Sequence, residues 1–312
     1  MVSKLKAVVP EKIEKRLKLF LYGAAGVGKT IAALQFPNAY IIDTEKGSEN
    51  YGETIKSSGS VLYQSNDYDD IKSQIEALLV EKHDYRTLII DPITVIYLSI
   101  QDKWTKRFEK DAKEKNKQAN AEMQDFGMRF WGKVKQEYKA LQRLLLKLDM
   151  NVIVTAHQKD VYGAGFSKTG VTFDSMKGDD YFFDHVFRLE KRGKDRIAIT
   201  EKERAEIGKG KFPAEFEWNY ANFLKYYGAD TIKREAQAVK MATIAQVEQL
   251  NELVNTVKID DVVVEKWLIK ADADTFNDFT EEQILKCIAF IEKKFEGVLK
   301  KDTVEKPKKE GK

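Results

Sequence analysis

Gly23-Ala24-Ala25-Gly26-Val27-Gly28-Lys29-Thr30 follows directly on the apolar run Leu17-Lys18-Leu19-Phe20-Leu21-Tyr22. A short apolar run stopped by glycine reads as a buried strand. The octet fills the pattern G-x-x-x-x-G-K-[ST], and helix-forming residues continue over 30–35 until Pro37. Glycines let the backbone turn tightly, so that successive N–H groups face a phosphate chain, and the helix start adds its dipole. Lys29 is placed to reach the β- and γ-phosphates, and the Thr30 hydroxyl to hold Mg²⁺. The stretch from Gly23 to Thr30 therefore predicts a P-loop that binds ATP with magnesium.

Outward from the loop, Ala39-Tyr40-Ile41-Ile42-Asp43 reads as a second buried strand and Thr87-Leu88-Ile89-Ile90-Asp91 as a third. Between them, 70–82 carries Ile71, Ile75, Leu78 and Leu79 at helical spacing. Residues 102–122 are charged and weakly periodic and are expected to form a mobile insertion. An amphipathic helix is predicted over about 126–148, followed by a strand over 151–156. The Gly-rich stretch 158–180 shows no clear element. Residues 186–189 and 196–200 predict a hairpin around Arg192-Gly193-Lys194. Strands alternating with helices imply an α/β chain whose mostly parallel sheet is flanked by helices.

The 312 residues suffice for one large domain and a smaller satellite. The expected organisation is a basic arm over 1–16, the α/β core over 17–224, a linker over 225–240, a small helical module over 241–298 and a Lys-rich, disordered tail over 299–312. In the module, Ile244, Val247, Leu250, Leu253, Val254 and Val257 mark one helix. Thr280 and Gln283 form a capping-box pattern that opens another, carrying Ile284, Ile288, Ile291, Phe295 and Val298. The formal charge is only +3, with 53 basic against 50 acidic residues, so total charge does not decide for or against nucleic acid. One cysteine, Cys287, excludes an intramolecular disulfide and reads as a small buried hydrophobe. No stretch of 18 apolar residues predicts a membrane span, and a cytoplasmic location is expected.

Asp91 ends its strand as a Walker B aspartate does, and is predicted to orient Mg²⁺ with Thr30. In many P-loop ATPases, including the AAA+ class, an acidic residue follows that aspartate and polarises the attacking water. Here Pro92 stands in that place. Glu45, just past the second strand in Asp43-Thr44-Glu45, is the candidate base, because adjacent parallel strands bring its carboxylate to the γ-phosphate edge.

Strand, P-loop and helix, then Asp43-Thr44-Glu45, then Ile-Ile-Asp91, then Val-Ile-Val-Thr-Ala-His157 together resemble the RecA-like recombinase core, more narrowly the RecA-like ATPases of phage recombination modules. The resemblance covers about 15–222. It implies single-strand annealing or recombination, and a phage-encoded protein in a bacterial host. It assigns water activation to Glu45 and γ-phosphate sensing to His157, with Gln158 as the alternative. His157 departs from the usual glutamine, and Pro92 from the usual small hydroxyl residue, for which Thr94 is the candidate substitute. RecA-like rings and filaments place ATP between subunits, and Lys202 and Arg204 match the position of basic residues donated to a neighbour's site. A homo-oligomer is therefore implied.

Two loops hold single-stranded DNA in RecA-like cores. Their counterparts here are 102–122, with Lys103, Trp104, Lys106 and Arg107, and 158–180, with Lys159, Phe166 and Lys168. Cations for phosphates interleaved with aromatic faces for bases are what single-strand binding needs. A solvated helical face and an ordinary loop are the plain alternatives. The partners expected are single-stranded DNA, further copies of the chain and a single-strand-binding protein. Three other readings stay open. One is a helicase-loader type of AAA+ ATPase acting on a protein, disfavoured by Pro92 and the lack of a sensor-arginine module. Another is a small-molecule kinase, for which 158–180 lacks lid arginines. The last is a nucleotide switch with little turnover.

Overall fold

The computed structural model describes residues 16–114, 123–163, 165, 167–204, 211–233 and 239–295. The expected tail, the arm apart from Arg16, and Phe166 lie outside them. The core elements in chain order are β1 (Lys18–Gly23), α1 (Lys29–Ala33), β2 (Ala39–Asp43), α2 (Gly52–Ser57), β3 (Val61–Gln64) and α3 (Tyr68–Val80). Then come β4 (Thr87–Asp91), α4 (Ile93–Glu114), α5 (Met123–Lys147), β5 (Asn151–Tyr162), β6 (Lys168–Phe173), α6 (Asp179–Phe182), β7 (His185–Arg192), β8 (Asp195–Glu203), β9 (Glu215–Glu217), α7 (Tyr220–Tyr227) and α8 (Ala229–Lys233). The C-terminal helices are α9 (Ile244–Thr256), α10 (Asp261–Ala271) and α11 (Glu281–Lys294).

The strands form one nine-stranded sheet ordered β3-β2-β4-β5-β1-β7-β8-β9, with β6 paired to β5 alone. β3, β2, β4, β5, β1 and β7 run parallel; β8, β9 and β6 join antiparallel. Every residue of β1 and β4 is buried, as continuous apolar runs in a doubly covered parallel sheet require. Edge strand β3 is largely exposed. The expected mixed, mostly parallel sheet with flanking helices is present.

Three segments differ from expectation. Residues 225–233 of the expected linker form the end of α7 and α8, with Tyr227 and Ile232 buried in the core. Residues 102–114 are the second half of α4 rather than an insertion. Ile96 and Ile100 are fully buried, and Trp104 and Phe108 continue their four-residue spacing with rings 5.9 Å apart. The charges that masked this period occupy the outer face. Residues 115–122 lie outside the described set. The stretch 158–180 is no structureless loop: β5 runs on to Tyr162 and returns as β6, pairing Gln158 with Phe173 and Lys159 with Thr172. Short mixed-polarity strands around glycines carry little periodic signal.

The chain divides into two compact units. The described residues of Met1–Ile71, His83–Phe126 and Met150–Ala236 make one; those of Lys72–Lys82, Gly127–Asp149 and Gln237–Lys312 make the other. In the second, Leu250, Phe279, Ile284, Ile288 and Ile291 form the heart of a buried cluster. Capping boxes at Thr243 with Gln246 and at Thr280 with Gln283 start α9 and α11. α10, capped by Asp260, was not legible as a separate helix. Cys287 is buried in this cluster, and burial pushes its thiol pKa up, which keeps it protonated and inert.

In the first unit His185 is fully buried among Phe187, Phe212 and Tyr227, and neither ring nitrogen has a hydrogen-bond partner among the described residues. Burial, reinforced by Lys202, lowers its pKa to about 4. The unfolded chain therefore binds a proton below the ordinary histidine pKa of about 6.5 that the folded chain refuses until about 4. This part of the stability is complete above pH 6.5 and is lost as pH falls towards 4, to a total of about 3 kcal/mol. Urea melts between pH 7 and 4.5 are expected to show that loss in the wild type and a flatter profile in His185→Phe. Parallel profiles would exclude His185 as the source.

Candidate functional site

The parallel register brings together residues at or near the carboxyl ends of five strands, β1, β2, β4, β5 and β7. Gly23 is level with His157 on one side and Leu189 on the other, and Asp43 is level with Asp91. Open α/β sheets hold ligands at this edge. Here it bounds a cavity of about 690 Å³, lined among others by Gly23, Gly28, Lys29, Thr30, Glu45 and Asp91. A cavity of that size takes a nucleotide.

Local sequence explains the loop. A Cβ on Gly23 would stand 2.5 Å from the Leu189 carbonyl oxygen, so only glycine lets β1 turn away beside β7. Gly28 caps α1 at φ 89°, a left-handed conformation that side chains resist. α1 itself is a single turn, shorter than the sequence suggested, which limits its dipole to that turn. Lys29 Nζ donates to the carbonyls of Gly23 (3.0 Å) and Ala24 (3.1 Å), and burial lowers its pKa against the pull of Asp91 and Glu45.

Asp91 is almost completely buried, and that burial raises its pKa, opposed by hydrogen bonds from Thr155 and Thr30. The Thr155 hydroxyl donates to its Oδ1. Thr30 thus meets the carboxylate directly. Among the described residues no cluster of three or more His, Cys, Asp or Glu side chains is suited to a metal. Magnesium fits the donor set differently, since it takes one or two protein oxygens, keeps waters and binds phosphates for the rest. Thr30 and Asp91 supply that minimal set.

Asp43, read from sequence only as the end of its strand, organises the next loop. Its carboxylate, 1% exposed, accepts from the amides of Glu45 (3.1 Å), Gly47 (3.1 Å) and Ser48 (2.8 Å). Thr44 ties the same loop to the Walker B segment, its amide donating to the Asp91 carbonyl and its hydroxyl to that of Pro92. Glu45 is thereby held at the cavity, where its carboxylate oxygens lie 3.1 and 3.2 Å from His157 Nε2. Gln158 lines the same cavity. Thr94 does not: its hydroxyl donates to the Asp174 carbonyl and accepts from the His157 amide, so it braces the end of β5.

The remaining candidates lie elsewhere. Lys202 donates to the Asp180 carbonyl, and Arg204 pairs with Asp184 at 2.8 Å, neither lining this cavity. On α4, Lys103 pairs with Asp69 (2.8 Å), Lys106 with Asp102 (2.5 Å), and Arg107 lies over the Trp104 ring. On the β5–β6 hairpin, Lys159 pairs with Asp174 and Lys168 with Asp160. Exposed pairs of this kind contribute little to stability. Lys191 and Arg196, which no sequence motif singles out, do line the cavity.

No curated protein matches the chain. A crystal structure of the RadB recombinase is similar over 60% of this chain and 80% of its own, at 18% identity and a TM-score of 0.35. A family model described as an AAA domain matches residues 15–212, well over half of the length. No helix among the described residues is long and apolar enough to cross a membrane. With its P-loop and Walker B aspartate inside the matched span, the chain belongs to the AAA domain family of nucleotide-binding P-loop proteins.

Proposed function

We propose that this chain is an ATPase of RecA-like type that assembles on single-stranded DNA and promotes annealing or homologous recombination. The observation that carries the hydrolytic part is the placement of Glu45: it stands at the P-loop cavity with its carboxylate against His157, while Pro92 fills the place after Asp91. In this reading the backbone of Gly23–Thr30, from Gly23, Ala24, Ala25, Gly26 and Val27 through Gly28, cradles the triphosphate, and Lys29 balances charge on the β- and γ-phosphates. Thr30 and Asp91 hold magnesium, which when bound neutralises phosphate charge. Glu45 takes the proton of the attacking water, and His157, with Gln158 beside it, orients that carboxylate.

The DNA part rests on the sequence resemblance and on residue chemistry. The β5–β6 hairpin leaves the sheet from the end of the strand that carries His157, and brings Lys159 and Lys168. α4 brings Lys103, Lys106 and Arg107 beside Trp104. Assembly as a ring or filament would put Lys202 and Arg204 within reach of a neighbour's nucleotide. A phage recombination module in the bacterial cytoplasm, with a single-strand-binding protein nearby, is the setting this reading implies.

Membership of the AAA domain family supports a second reading, an ATPase that remodels a protein partner. One experiment separates the two. Single-stranded DNA is expected to raise the ATPase rate, with binding that weakens steeply between 50 and 200 mM salt, about 10³-fold or more for six phosphate contacts. Absence of binding and of stimulation at low ionic strength would remove DNA and leave the protein-partner reading.

A further inference from the structure

The β7–β8 hairpin treats its basic residues in two different ways. On one face, Arg188, Glu190 and Arg192 of β7 meet Glu201 of β8 and Glu215 of β9, and every cation there is paired. Arg188 Nε lies 3.1 Å from Glu201 and its Nη1 contacts Glu190; Arg192 reaches Glu215 at 2.6 Å and Glu190 at 3.0 Å. The opposite face follows the alternation Phe187, Leu189, Lys191 and Thr200, Ala198, Arg196. Its inner part is buried core, and it runs out at the P-loop, because Leu189 is level with Gly23 and Lys191 stands two residues further along.

Lys191 and Arg196 are direct cross-strand partners. Like charges so placed are destabilising unless an anion lies between them. Among the described residues neither side chain has a carboxylate partner, in contrast to the other face. The half-buried Arg196 instead packs on the phosphate loop itself. A Cβ built on Gly28 would lie 2.0 Å from its Nε, 2.8 Å from its Cζ and 2.9 Å from its Nη2. The φ of 89° is what requires glycine at 28, and the Arg196 guanidinium fills the space that its missing side chain leaves.

We propose that Lys191 and Arg196 form an anion clasp that binds the phosphate chain of the nucleotide in cis, beside Lys29 of the same subunit. The inference rests on the P-loop reading and adds residues to it. Guanidinium and ammonium groups converging on one turn suit a polyphosphate, whose oxygens accept several charge-assisted hydrogen bonds at once. Lys202 and Arg204, held on Asp180 and Asp184, lie away from this cavity, so the cations of the clasp are distinct from those assigned to a neighbour's site.

The test is equilibrium titration with a fluorescent Mg·ATP analogue, and competition by ATP and by inorganic tripolyphosphate. The proteins are full-length wild type, Lys29→Ala, Lys191→Ala, Arg196→Ala and Arg196→Lys. Arg196→Ala is expected to weaken ATP binding about 10- to 100-fold and tripolyphosphate binding by the same factor, with partial recovery in Arg196→Lys. Lys191→Ala is expected to weaken both ligands to a smaller extent, and it carries the test should Arg196→Ala fail to fold. Wild-type affinity in Lys191→Ala and the Arg196 variants, with Lys29→Ala impaired, would overturn the clasp and leave the P-loop reading intact. Loss of ATP but not of tripolyphosphate binding would overturn it too, by moving Arg196 to the base. No nucleotide binding by the wild type would remove the P-loop reading and the clasp together. Mixing Arg196→Ala with Lys29→Ala subunits is expected to restore no turnover; rescue would show that Arg196 acts on a neighbour.

Discussion

Lys29→Ala is expected to lower ATP turnover by about 10²–10³-fold, the scale of roughly 3–4 kcal/mol for removing one preorganised charge from a phosphoryl-transfer site. The ammonium is anchored on the carbonyls of Gly23 and Ala24, within the field of both Asp91 and Glu45. It is half-buried, so its interaction with a phosphate oxygen is less screened than in bulk water. The same variant should bind nucleotide more weakly, since Lys29 meets the phosphates in the ground state as well. Steady-state ATPase assays and nucleotide titration read both effects. Wild-type turnover in Lys29→Ala would mean that the cavity at residues 23–30 is not where hydrolysis occurs.

Glu45→Gln separates chemistry from binding. The exchange keeps size and hydrogen bonding but removes the group that accepts a proton, for which general-base catalysis sets a loss of about 10²–10⁴-fold. The loop should keep its shape, because Asp43 and not Glu45 accepts the amides of Glu45, Gly47 and Ser48. ATP affinity is therefore expected to hold while single-turnover hydrolysis collapses. Equal and slow turnover in both proteins would favour a nucleotide switch, and loss of binding would show that Glu45 shapes the site.

Sequence carried the centre of the sheet because buried parallel strands leave uninterrupted apolar runs, as at 18–23, 39–43 and 87–91, and because Gly23, Gly28 and Lys29 are tied to one backbone path. The extensions were harder. The outer half of α4 hides its apolar ladder under charges, and β6 is six residues of mixed polarity that gain order only by pairing with β5. At the site, Asp43 looked like a strand end because its role depends on three amides of a loop that sequence does not describe. Lys191 and Arg196 were invisible as a pair because only the hairpin register sets them opposite each other and beside Gly28. Pro92 after Asp91 weighs against the helicase-loader type of AAA+ ATPase, and the family match speaks at the coarser level of an AAA domain.

The account stands most directly on where a triphosphate sits. A structure of Glu45→Gln with Mg²⁺ and ATP should place the β-phosphate on the amides of Gly28, Lys29 and Thr30, magnesium against Thr30 and Asp91, and residue 45 facing the γ-phosphate. Nucleotide bound away from this loop, or in it with residue 45 turned from the γ-phosphate, would contradict the account.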